Sequence, residues 1–176
     1  MRRTVLTYGL IAGAILSAMM VLTIPFMDQI GFDRGAIIGF TTMVLAFLMI
    51  FFGVRSYRDT VGGGSVTFGR AFALGLLIVL VATVCYVITW QLVYYQFMPD
   101  FADKYAAHAI EKARAGGASA DELTRLSQEM DAFAAAYRNP LINIGYTFLE
   151  PLPVGFVLTA VTAGILGRKE KAPMPN

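Results

Sequence analysis

Cysteine, histidine and tryptophan each occur once in this chain of 176 residues, and charge is sparse. The single cysteine, Cys85, excludes an intrachain disulfide and a cysteine zinc framework. It falls inside an apolar run, where packing is its expected role. His108 has only Glu111 one helical turn away, and two donors do not complete a zinc site. No metal and no cofactor is therefore expected. Charged residues make up 15% of the chain, below the roughly 25% of soluble domains. The formal net charge is +2, and the basic residues fall beside the ends of apolar runs instead of forming a stripe, which argues against a nucleic-acid partner. There is also no nucleophile paired with a base and no second acid placed to assist Glu150. An enzyme is not expected.

What the chain has instead is apolar length. Residues 5–26, 36–54, 71–97 and 141–167 form four runs near or above the roughly 20 residues that span a bilayer as helix. They predict an all-α fold, an integral membrane four-helix bundle forming one domain over 1–176 in contact with the lipid bilayer. The first run follows "MRRT" but exceeds the 7–15 apolar residues of a signal-peptide core and lacks a clear A-x-A site, so it reads as a retained first helix. Lys and Arg set the orientation. Arg2 and Arg3 precede the first run, Arg55, Arg58 and Arg70 lie between the second and third, and Arg168, Lys169 and Lys171 follow the fourth. These segments, including a basic tail at 168–176, are expected in the cytoplasm with both termini.

Residues 99–139 read as an extracytoplasmic helical hairpin between spans 3 and 4. Ser119 and Glu122 have capping-box spacing, and Leu123, Leu126, Met130, Phe133 and Tyr137 recur at helical intervals on one face. Burial against the bundle and docking of a protein partner are both open to that stripe. Small residues at four-residue spacing mark two spans: Gly9, Gly13 and Ser17 in the first, Gly155, Thr159, Ala163 and Gly167 in the last. They suit close packing within the bundle or a homo-oligomer. Between spans 2 and 3, "RSYRDTVGGGSVTFGRAF" allows a tight return, with Thr67 as helix cap. Its Gly-rich run lacks the Gly-Lys-Ser/Thr of a phosphate loop. Arg55, Arg58 and Arg70 are candidates for a lipid-phosphate contact there.

In the last span, "FLEPLPVGF" sets an acid before two prolines. An ionisable group in a span is costly and raises a functional hypothesis. Glu150 stands 18 residues before Arg168, about 27 Å at 1.5 Å per residue, near the outer boundary of the bilayer. The prolines predict a break or bend beside it. The same depth count on span 3 reaches Tyr86, Thr89 and Gln91, which with Glu150 make a candidate polar site. A hydrated helix bend, a protonatable or cation-binding group, and a hydrogen bond or ion pair with Arg138 or Lys104 are the readings it leaves open.

The blocks "FFGVRSYRD", "GGGSVTFGRAF", "YVITW", "PDFADKYAA" and "NPLINIGYTFLEPLPVGF" together resemble the bacterial membrane proteins grouped as domain of unknown function 4199, from the first span to the basic tail. The resemblance implies a four-span protein of a bacterial inner membrane and brings no reaction or ligand. The function expected is that of a non-enzymatic multi-pass membrane protein acting through protein or lipid partners. The alternative is a small transporter or channel-like protein that uses Glu150.

Overall fold

The computed structural model describes residues 1–167, so the basic tail expected at 168–176 lies outside the described residues. Among these the chain forms α1 (Arg2–Thr23), a 3-10 turn (Ile24–Phe26), α2 (Met27–Thr60), α3 (Phe68–Phe97), α4 (Phe101–Ala115), α5 (Ala120–Tyr137), α6 (Pro140–Leu149) and α7 (Leu152–Leu166), with no strand. Three helical stretches, Arg2–Thr60, Phe68–Phe97 and Pro140–Leu166, are long and apolar enough to cross a membrane. The first folds back on itself, since Tyr8 of α1 packs at Gly53 near the far end of α2.

Helix α2 begins before the apolar run at 36–54, since residues 27–35 are themselves largely helical. Pro25 fits the first positions of the 3-10 turn, where its missing N–H costs little. Gly31 takes the bend at φ 72° and ψ 167°, a conformation open to glycine and costly for other residues. The flanking residues are thereby left free to remain helical.

Helix α3 is the centre of the bundle and packs against α1, α2, α6 and α7. Both stripes of small residues lie on it. A Cβ at Gly9 or Gly13 would come within 2.7 Å or 2.6 Å of the Cβ of Val81 or Cys85, and one at Gly155 within 2.6 Å of Val79. Cys85 thus serves packing against α1. The direction of α1 is parallel to α3, and that of α7 antiparallel, because Gly75 meets Thr159 and Phe68 meets Gly167. Neither stripe is left free for a second copy. Phe47, Met43, Ile50, Leu74 and Ile78 fill the interior. The outside is apolar too: Leu77, Leu80, Val84, Ile88 and Leu92 run exposed along α3, the arrangement of a bundle whose solvent is hydrocarbon.

The hairpin α4–α5 stands over the C-terminal end of α3. Ser119 caps α5 through the reciprocal capping box with Glu122, as its spacing predicts. Arg138 Nη2 donates to both oxygens of Asp103, at 2.9 and 3.0 Å, tying the end of α5 to the start of α4. The α5 stripe faces inward: Tyr137 is buried, Phe133 half-buried, and the Trp90 Nε1–H donates to the Tyr137 hydroxyl at 3.0 Å. Burial holds the Tyr137 hydroxyl above its ordinary pKa, so it stays protonated while accepting that bond. On the other arm, Phe101 and Tyr105 set their rings edge-on to Phe32 of α2 at 5.8 and 5.7 Å. His108 lies beside the same ring, with Nε2 3.5 Å from Asp33 Oδ1, and Lys112 Nζ donates to that oxygen at 2.6 Å.

Candidate functional site

The last membrane stretch breaks at Glu150. Asn139 caps α6 by accepting from the Leu141 N–H at 3.0 Å, and Pro140 occupies the first turn. Pro151 then ends the helix, and Pro153 falls in the first turn of α7, where a missing N–H is harmless. Four residues before each proline, the carbonyls of Thr147 and Leu149 lose the donors a continuous helix would supply. Pro151 itself is fully buried, whereas Glu150 is exposed on the flank of the bundle.

Around that flank lies a groove of about 840 Å³. It exists because α2 packs on α7 but makes little contact with α6, leaving α1 and α3 as the inner wall and the hairpin as a roof. Met20, Met27, Met43, Trp90, Phe133 and Tyr146 are typical of its lining. Among all the lining residues Glu150 is the one carboxylate, and none is Lys, Arg or His. Tyr86 donates its hydroxyl hydrogen to Glu150 Oε2 at 2.9 Å. The ion pairs considered for Glu150 are not formed: Arg138 is bound to Asp103 and Lys104 to Asp100.

The four polar residues grouped by depth divide among three places. Tyr86 and Glu150 meet. Thr89 turns to α1, where its Oγ1 and Ser17 Oγ are 2.7 Å apart, and it also donates to the Cys85 carbonyl at 3.0 Å. Gln91 Nε2 donates to Asn143 Oδ1 on α6 at 2.7 Å. Asn143 is fully buried, its Nδ2 has no partner, and its backbone carbonyl accepts from Thr147 Oγ1 at 2.9 Å. Asn143 was not singled out from the sequence, where its place inside the last apolar run was the available signal.

Two of the three arginines gather at one acid. Arg58 Nε donates to Asp59 Oδ1 at 2.8 Å and Arg55 lies 3.8 Å from the other carboxylate oxygen. Arg70 carries no ion pair among the described residues, and Thr67 Oγ1 accepts from its backbone N–H at 3.4 Å as the α3 cap. Asp59 is therefore shared by two of the three arginines and offsets one unit of their charge. The return beside them is built on Gly63 and Gly64, both at positive φ.

The profile of one protein family, described as "Protein of unknown function (DUF4199)", matches residues 7–168. No curated protein and no solved structure matches the chain.

Proposed function

Because the chain belongs to the DUF4199 family of unknown function, the site has to speak for itself, and we propose that this membrane protein is a non-enzymatic holder of an apolar, lipid-like molecule in the groove beside Glu150. The observation that carries the reading is the groove: about 840 Å³, within the roughly 300–1,000 Å³ of small-molecule sites, apolar throughout except for a few polar groups including Tyr86 and Glu150. Methionines along one wall give such a surface the ability to repack around different chains. The inward turn of the α5 stripe supports a lipid-like partner over a protein docked on that stripe.

In this reading the chain crosses a bacterial inner membrane four times, by α1, α2, α3 and the broken pair α6–α7. Arg2, Arg3, Arg55, Arg58 and Arg70 belong to the end of the bundle opposite the hairpin, which supports cytoplasmic termini and an outward-facing hairpin. The interrupted helix at Glu150 favours a second reading, a small transporter, since broken helices supply binding groups at membrane depth.

The test is copurification from native membranes followed by mass spectrometry of the extract. Gly39 lines the groove and a Cβ there would meet nothing within 4 Å, so Gly39→Phe adds a ring on the groove wall with no clash at its Cβ. Wild type should carry a near-stoichiometric apolar molecule that Gly39→Phe lacks. Identical extracts from the two would refute the reading, and a stoichiometric protein in both would move it to a protein partner.

A further inference from the structure

Resting on that groove, a narrower inference concerns the head group it accepts. The break offers a carboxylate and two carbonyls as acceptors, with the Tyr86 hydroxyl already donating to the carboxylate. Glu150 contributes a carboxylate whose one hydrogen bond, from Tyr86, leaves further lone pairs for a ligand. Pro151 and Pro153 deprive the carbonyls of Thr147 and Leu149 of their helical donors. Among the described residues no cation lines the groove, and Lys112 is held by Asp33. An anionic head, such as a phosphate or sulfate, would face Glu150 with no counter-charge, and like charges in a low dielectric repel strongly. Aromatic faces are abundant, with Trp90, Tyr86, Tyr137 and Tyr146 among the lining, and such rings attract an ammonium.

We propose that the groove selects an amphiphile with a cationic ammonium head and a hydrocarbon tail, the head on Glu150 among the aromatic rings and the tail along Met20, Met27 and Met43. A primary ammonium fits best, since its three N–H donors match the carboxylate and the freed carbonyls. The Tyr86 hydroxyl fixes the carboxylate in place.

Trp90 is the only tryptophan of the chain and lines the groove, so in nanodiscs with a tryptophan-free scaffold its emission reports on this site. Full-length protein in zwitterionic nanodiscs of that kind is titrated with three probes of equal chain length: dodecylamine, dodecanol and dodecyl sulfate. A head group seated among the rings changes the emission of Trp90. The amine should change it saturably at a concentration roughly tenfold below the alcohol, a factor that one charge-assisted hydrogen bond supplies, and the sulfate should be weakest. Glu150→Gln should bring amine and alcohol together. Equal responses to amine and alcohol in wild type would overturn the head-group proposal while leaving the groove reading intact. A saturable response to none of the three would overturn both. The wild-type comparison needs no variant, so poor folding of Glu150→Gln does not weaken it.

Discussion

Tyr86 and Glu150 are 64 residues apart in sequence and joined by a 2.9 Å hydrogen bond, which fixes the middle of α3 to the break between α6 and α7. The bond holds the one acid of the groove against the central helix. Tyr86→Phe removes the donor and little volume. It should lower stability by about 1 kcal/mol, the usual net value of one hydrogen bond, read as a fall in the unfolding midpoint in detergent. In Glu150→Gln the same substitution should cost less. An equal loss in both backgrounds would mean that the charge of Glu150 adds nothing to the bond.

Gln91 and Asn143 form the more deeply placed link between α3 and α6. Gln91→Met leaves Asn143 fully buried with neither end of its amide bonded to another side chain on α3, at a cost of about 1–3 kcal/mol. Asn143→Leu in the Gln91→Met background should recover part of that loss, because both ends then become apolar. A double-mutant cycle on unfolding midpoints checks it, and strict additivity would show that the two side chains are not coupled.

Glycines in this bundle separate into those under a neighbour and those facing out. Gly155→Ala places a Cβ 2.6 Å from Val79 and should destabilise the α3–α7 contact by about 1–3 kcal/mol. Gly164, on the same helix, has nothing within 4 Å, and Gly164→Ala should be neutral or stabilising by up to about 1 kcal/mol. Thermal unfolding of the two proteins side by side gives the answer; similar midpoints would deny the close approach of α7 to α3.

Acid should loosen the hairpin at its cap. The Ser119 N–H and hydroxyl both donate to Glu122 Oε2 at 2.8 Å, and these bonds hold the Glu122 carboxyl below the usual carboxylate range. A carboxylate whose folded pKa is depressed contributes stability that is complete above the unfolded value, about 4.3, and is lost as pH falls through the folded one. The Ser119 amide proton shift should therefore be constant from about pH 7 to about pH 5 and move below that range. Glu122→Gln should flatten the response. A wild-type shift that moves only above the usual carboxylate range would contradict the assignment.

These residues also mark how far the sequence could be read. Apolar run length identified the helical stretches, because a bilayer sets that length. The cap at Ser119, the cap at Thr67 and the break before Pro151 were legible because each is decided within four residues. Counting residues from the basic ends gave depth, and it found Tyr86 beside Glu150. Depth carries no rotation, however. A helix turns about 100° per residue, so Thr89 and Gln91, at nearly the level of Tyr86, face α1 and α6 instead. The groove itself was not legible, since it follows from the sparse contact between α2 and α6 and from the bend that Gly31 allows.

Whether that groove admits a hydrocarbon chain is the claim on which the account stands. The direct measurement is Trp90 fluorescence in nanodiscs made from lipid brominated along its acyl chains, wild type against Gly39→Phe. If chains enter between α2 and α6, wild-type emission is strongly quenched and filling the groove at Gly39 restores most of it. Equal emission from the two proteins in brominated lipid would contradict the account.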